Sequence, residues 1–182
     1  MALQFTTSYL EDTTSLFHHY KNLAERAMDQ VASEQLFAVL DPEMNSIAII
    51  LKHLTGNMRS RWTGFPQADG EKPDRDRDSE FVNPPATREE LMRAWEQAWS
   101  IVFAALGSLS DADLARETTI RGERHSILQA VTRQLTHYAY HCGQIVLLAK
   151  HFQGVQWKSL TVPRGQSAKF NQRVKAGEAS QR

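Results

Sequence analysis

His137 and His141 stand four residues apart in the run Arg133-Gln134-Leu135-Thr136-His137-Tyr138-Ala139-Tyr140-His141-Cys142, which reads as helix. Side chains at i and i+4 share a helical face. Two neutral imidazoles one turn apart can therefore bind a single transition-metal ion without bending the backbone. Stepping about 100° per residue, Leu128, Val131, Leu135, Tyr138, Cys142, Ile145 and Ala149 form an apolar stripe, and both histidines fall along its border. That position places them at the interior edge of a helical bundle. An HxxxH pair alone is common in helices that bind nothing, so the position around the helix carries the metal reading.

A second segment, 46–62, repeats the helical pattern through Ile47, Ile50, Leu51, Leu54, Met58 and Trp62, with no proline inside it. His53 sits on the border of this stripe at nearly the angular offset that His137 and His141 have on theirs, which suits a ligand completing their site. Asn57 and Ser46 share its flank. Three histidines form an incomplete shell around zinc, nickel or ferrous iron, leaving positions for water or substrate, as catalytic rather than structural sites do. A metal held this way lowers the pKa of a bound water or thiol. His18 and His19 point away from the stripe of their own helix and are expected to be solvated. His151, in a last helical turn, is explained by the helix dipole.

The elements that must position these residues are helical. Tyr9, Leu16, Tyr20, Leu23, Ala24, Ala27 and Val31 recur at helical spacing over 8–31, and a short apolar piece, 35–40, stops at Asp41-Pro42. Thr87-Arg88-Glu89-Glu90 is a capping box opening a third helix with the stripe Leu91, Trp95, Ala98, Trp99, Val102 and Leu106, ending near Gly107. Ser126 and Gln129 form another capping box for a fourth helix that runs to about residue 152, before Gly154. Gly143 inside it costs about 1 kcal/mol relative to alanine, and close packing of a neighbour or of the metal pocket is the expected reason for it. Between the second and third helices lies a long charged loop, 64–85, containing Asp69-Gly70-Glu71-Lys72-Pro73 and the alternating Asp74-Arg75-Asp76-Arg77-Asp78. Its charges read as solvation. The glycine and terminal glutamate of a calcium-binding EF-hand loop are missing. The polar stretch 110–125 is irregular, with Thr118-Thr119-Ile120-Arg121-Gly122 expected as a brief extended segment or turn.

The chain has 182 residues, which fits one domain over 1–172 with a polar tail, 173–182, expected to be disordered. Lys158 or Arg164 is expected to pair with the acidic loop and fold the region after Gly154 over one end of the bundle. Lysine plus arginine equals aspartate plus glutamate, so the formal net charge is zero and nothing points to a nucleic-acid partner. The single cysteine, Cys142, rules out an internal disulfide and fits a reducing compartment. No segment reaches membrane-spanning length and the N-terminus lacks a basic start and an apolar run, so a cytoplasmic protein without a membrane partner is expected.

Four such helices, one histidine in the second and HxxxH in the fourth resemble the DinB-like, or YfiT-like, superfamily of metal-binding four-helix bundles. The strings Ile47-Ala48-Ile49-Ile50-Leu51-Lys52-His53-Leu54-Thr55-Gly56-Asn57-Met58-Arg59-Ser60-Arg61-Trp62, Asp69-Gly70-Glu71-Lys72-Pro73, His141-Cys142-Gly143-Gln144-Ile145-Val146 and Pro163-Arg164-Gly165-Gln166-Ser167 look like a branch of unknown function within it. The resemblance spans most of the chain. It implies an all-α four-helix bundle in which His53, His137 and His141 hold a divalent transition metal. It further implies an enzyme that transfers a low-molecular-weight thiol, such as bacillithiol or mycothiol, onto an electrophilic small molecule. The alternatives are a metal-dependent hydrolase of an amide or ester and a non-catalytic, stress-linked metal- or ligand-binding protein. Asn57 and Arg61 are the expected substrate-binding residues, and no catalytic residue is assigned. A homodimer is also expected, because relatives often pair and the tryptophan-rich third helix offers apolar surface.

Overall fold

A serine or threonine oxygen starts each of the four long helices. In the computed structural model, which describes residues 8–180, the side chains of Ser8, Ser46, Thr87 and Ser126 accept backbone N–H bonds at the first turns of α1 (Tyr9–Met28), α2 (Ile47–Trp62), α3 (Arg88–Gly107) and α4 (Ile127–Gln153). The last two caps are full capping boxes with Glu90 and Gln129, each satisfying donors that a bare helix end leaves open. The fold is all-α. Its one sheet is a hairpin, β1 (Glu117–Ile120) against β2 (Glu123–Ser126), that leads directly into α4. No helix among the described residues is long and apolar enough to cross a membrane.

In the bundle α1 lies against α4, α2 lies against α3, and α2 also meets α4. The centre is aromatic. Phe17 meets Trp62 and Trp99 edge-on at centroid distances of 5.9 and 6.1 Å and Tyr138 at 5.7 Å, spacings at which aromatic quadrupoles attract. The Trp62 indole N–H donates to the Tyr138 hydroxyl at 2.9 Å, and that hydroxyl donates to Asn57 Oδ1 at 3.2 Å, which ties α2 to α4. Arg88 closes the C-terminal end of α1 by donating to the carbonyls of Met28 and Val31.

Some expectations change. On α1 the buried face runs through Leu10, Thr13, Phe17, Ala24, Ala27 and Met28, and Leu16 is 43 % exposed. The face is rotated because Phe17 fills the gap between Trp62, Trp99 and Tyr138, and its neighbour Leu16 then points outward. His18 and His19 are exposed as expected, with His18 stacked on Phe103. Trp95 and Trp99 are both core residues. Leu128, placed in the α4 stripe, is 40 % exposed. A Cβ on Gly143 would meet nothing within 4 Å, so close packing does not account for that glycine. In the tail, Lys158 pairs its backbone with the side-chain amide of Gln30, in the turn that follows α1, at 2.8 and 3.0 Å. Among the described residues neither Lys158 nor Arg164 forms an ion pair with the loop. Residues 173–175, placed in the tail by composition, form the last turn of α5 (Ser167–Lys175), a helix with no buried residue.

The loop between α2 and α3 is docked on the rest of the fold through Asp69, Glu71, Arg75 and Glu80, while Asp74, Asp76, Arg77 and Asp78 of its alternating run are exposed, as expected for solvated charges. The extended segment expected at 118–122 is the hairpin, whose turn residues Arg121 and Gly122 both take positive φ, 57° and 75°, as tight hairpins require. Asp69 clamps that turn: its carboxylate accepts from the backbone N–H of Arg121 and Gly122 at 2.8 Å each and from Glu71 at 2.7 Å. Gly70 N–H donates to the Thr119 carbonyl and Thr118 Oγ1 donates to the Pro66 carbonyl. At the loop's far side, Lys52 Nζ on α2 donates to the carbonyls of Val82 and Asn83 at 2.7 and 3.3 Å.

Two outcomes follow from these contacts. Gly143→Ala is expected to raise stability by about 0.5–1 kcal/mol, read as a shifted urea midpoint at unchanged slope. A loss of stability there would reveal a contact that the packing does not contain. The backbone bonds from Glu71 and Gly122 hold the Asp69 carboxyl down to about 2. A carboxylate lowered on folding stabilises the native state above its ordinary pKa, and that contribution is lost as pH falls through the folded value. Asp69→Ala should therefore lower Tm near neutral pH, with the difference from wild type shrinking as pH drops from about 4 toward about 2.

Candidate metal centre

His53 leaves the middle of α2, and His137 and His141 leave α4 one turn apart. The crossing of the two helices brings all three together, and one ring nitrogen from each lies within 4.8 Å of the others. Nε2 of His53 and Nε2 of His137 are 3.2 Å apart, near the roughly 3.3 Å separating two nitrogens on one tetrahedral ion with bonds of about 2.0–2.1 Å. His53 is 4 % exposed.

The outer face of each ring decides which nitrogen is free. His53 Nδ1 lies 2.8 Å from Glu80 Oε2 and His141 Nδ1 lies 2.7 Å from Gln144 Oε1. Both partners are acceptors, so both Nδ1 atoms carry the proton and both Nε2 lone pairs are left for the centre. Burial, with His141 and His53 beside it, pushes the His137 imidazole down to about 3, and burial lowers His141 as well, against the raising effect of Gln144. Both are neutral at pH 7, as a ligand must be. This donor set fits a divalent transition metal: three imidazoles, with two tautomers held by hydrogen-bond acceptors.

Glu80 is itself held. Arg75 Nε donates to its Oε1 at 2.8 Å and Arg75 Nη2 to its Oε2 at 2.9 Å, a bidentate pair of the strong kind. Burial alone would raise the Glu80 carboxyl, but the bonds from His53 and Arg75 more than offset it and keep the group ionised. Arg75 also reaches Glu71 at 3.1 Å, and Arg61 donates to the same Glu71 oxygen at 2.7 Å and to the Gly70 carbonyl. Phe81 stacks on the His53 ring with centroids 4.7 Å apart. The charged loop thus supplies a carboxylate and an aromatic face to a histidine on α2.

A cavity of about 810 Å³ opens over the imidazoles. Asn57 and Arg61, the expected substrate-binding residues, lie one and two turns beyond His53 on the same face of α2 and both line it. Asn57 uses Oδ1 to accept from Tyr138, and Arg61 is engaged by Gly70 and Glu71. Glu80, Arg75 and Gln144 were not singled out in the sequence. Gln144, three residues after His141, carries a signal in its i, i+3 spacing. Glu80 and Arg75 carry none, because they lie in a loop without periodicity. Cys142 points into the core, donates to the Tyr20 carbonyl, and is pushed up by burial to about 12. It is therefore no nucleophile near neutral pH.

Gly56 makes room for this arrangement. A Cβ there would lie 2.5 Å from Glu80 Oε1 and 2.8 Å from its Cδ, and the carboxylate cannot yield without losing Arg75 or His53. Gly56→Ala is therefore expected to destabilise the protein, although alanine in a helix would otherwise add about 1 kcal/mol. It should also release the His53 Nδ1 proton from its acceptor, visible as a changed imidazole ¹⁵N shift. A stabilised variant with an unaltered His53 spectrum would show that Glu80 accommodates the methyl.

A comparison with curated proteins gave no match. The family model described as "Protein of unknown function (DUF1572)" matches residues 4–166, and that span takes in all three histidines and the loop with Glu71 and Glu80, so the chain belongs to this family.

Proposed function

We propose that the protein is a metal-dependent enzyme of DinB-like type, with a divalent transition metal held by His53, His137 and His141, and that it transfers a low-molecular-weight thiol onto an electrophilic small molecule. The observation that carries this reading is the convergence of three imidazoles on the floor of an open cavity, where a purely structural site would be closed. Zinc, nickel and ferrous iron all suit such ligands. Bound there, the metal would supply Lewis acidity that makes a thiol acidic near neutral pH.

The chain's own residues favour transfer over hydrolysis. Among the described residues no carboxylate lines the cavity, and Glu80, beside His53, has both oxygens engaged by Arg75 and His53, so no free general base among them stands ready to take a proton from attacking water. A thiol whose pKa has been lowered needs no such base. Cys142 is buried and protonated, so the thiol must come from a second small molecule. In the transfer, the thiol sulfur bonds to the electrophilic carbon, the leaving group departs with its electron pair, and the thiol proton goes to solvent. Asn57 lies where it can orient either reactant through its amide N–H.

The test begins with metal analysis of the untagged protein beside His53→Ala and His137→Ala. Near-stoichiometric metal in wild type, lost in both variants while they remain folded, is the expected result. Loaded protein should then accelerate conjugation of bacillithiol, mycothiol or a simple cysteinyl thiol with chlorodinitrobenzene, and leave nitrophenyl esters untouched. Ester turnover without thiol would favour the hydrolase instead. Metal binding with neither activity would leave a binding protein. A folded wild type that refuses zinc, nickel and iron would end the metal reading.

A further inference from the structure

Five arginines line the cavity over the three imidazoles: Arg61 from α2, Arg75 and Arg77 from the loop, Arg121 from the hairpin turn and Arg133 from α4. No lining residue is acidic. Two glutamates behind the wall meet part of this charge, but one oxygen of Glu71 serves Arg61, Arg75 and Arg121 together, at 2.7, 3.1 and 3.3 Å, and Glu80 serves Arg75. Asp69 is engaged by backbone N–H groups. Among the described residues Arg77 has no carboxylate partner and lies over the Phe81 ring at 4.9 Å, while the Arg133 side chain forms no hydrogen bond or ion pair. Five guanidiniums converge where two carboxylates answer them, in a concavity whose low-dielectric walls strengthen the field.

The buried wall also contains unmet hydrogen-bonding capacity. Arg61, 7 % exposed, has an Nε–H without an acceptor, and Gln134, 4 % exposed, has an Oε1 without a donor. Buried polar atoms without partners are rare in folded proteins, and both residues line the cavity.

We infer that this cavity binds a small molecule bearing an oxyanion, a carboxylate or a phosphate, through Arg77, Arg121 and Arg133, with its reactive end directed at His53, His137 and His141. Guanidinium groups pair with either oxyanion through two parallel N–H bonds. The placement follows from helix geometry. Arg133 stands one turn before His137, and Asn57 and Arg61 stand one and two turns after His53, so the anion lies roughly one helical turn, about 5.4 Å, from the reacting atom. Arg61 Nε–H and Gln134 Oε1 lie just behind the surface that the ligand would meet, where a small shift of either side chain on binding lets one donate and the other accept. The reactive end rests on the metal centre proposed above, whereas the anion site rests on the arginines alone.

The test is calorimetric titration of the full chain, as isolated and after metal removal, with pyrophosphate, with tricarballylate and with uncharged glycerol. At least one anion is expected to bind to both preparations, more weakly as salt is raised, with glycerol showing no heat. Preference for pyrophosphate assigns a phosphate, and preference for tricarballylate assigns a carboxylate. The double variant Arg77→Gln/Arg133→Gln should remain folded, since neither side chain holds an ion pair and only the Arg77 contact with the Phe81 ring is lost, and should bind the preferred anion about tenfold more weakly or worse. Protein that holds metal but binds neither anion overturns the inference and leaves the metal reading standing. Binding unchanged in the double variant also overturns it. Anion binding by protein that never takes up metal supports the arginine site while ending the metal reading.

Discussion

The approach of α2 to α4 governs the site, and it is set at one hydroxyl. Tyr138 takes a hydrogen bond from Trp62 and gives one to Asn57, with its ring buried against Phe17 and Trp99. A buried phenol with both roles satisfied holds two helices in one register, because sliding either helix would orphan buried polar atoms. His137 precedes Tyr138 in sequence and His53 lies one turn before Asn57, so the register that satisfies Tyr138 also brings Nε2 of His53 to 3.2 Å from Nε2 of His137. The core positions the donors, and the donors need no flexibility of their own.

A second constraint concerns buried charge. An ionised carboxylate such as Glu80, 5 % exposed, survives in the interior only with close, well-aligned partners. Arg75 supplies a fork of two N–H bonds and His53 a third. That requirement fixes the loop against α2, and Lys52 and Gly56 reinforce it, one by bonding loop carbonyls and the other by having no Cβ. The loop is therefore a wall of the site, and the same arginines that neutralise Glu71 and the buried Glu80 give the cavity its positive character.

Near the site, polar and charged groups occur where the bundle would otherwise be apolar. Along α2 the residues His53, Thr55, Asn57, Ser60 and Arg61 are all buried beside Leu51, Leu54 and Met58, so this helix is enclosed nearly all round. Burying so many polar groups on one helix costs stability unless each finds a partner. The one buried polar atom on α2 that does not, Arg61 Nε, belongs to a residue of the cavity wall.

From the sequence alone, the helices, their caps and the helical faces of the three histidines are legible, because capping and amphipathic period are local properties set by residues three or four apart. The all-α class, the starts at Ser46, Thr87 and Ser126, and the shared offset of His53, His137 and His141 follow from that periodicity. The rotation of α1 around Phe17 was decided by packing, since several adjacent apolar residues compete for the core and only the shape of the gap chooses among them. The tertiary structure also decided the roles of the loop: Asp69 as a clamp on a hairpin turn, and Glu80 and Arg75 as the support behind His53. Alternating charges carry no period that names a partner, and their partners lie on another element. The cavity's sign has the same origin, because it depends on which arginines are left unanswered once the chain has folded, although the whole chain is neutral.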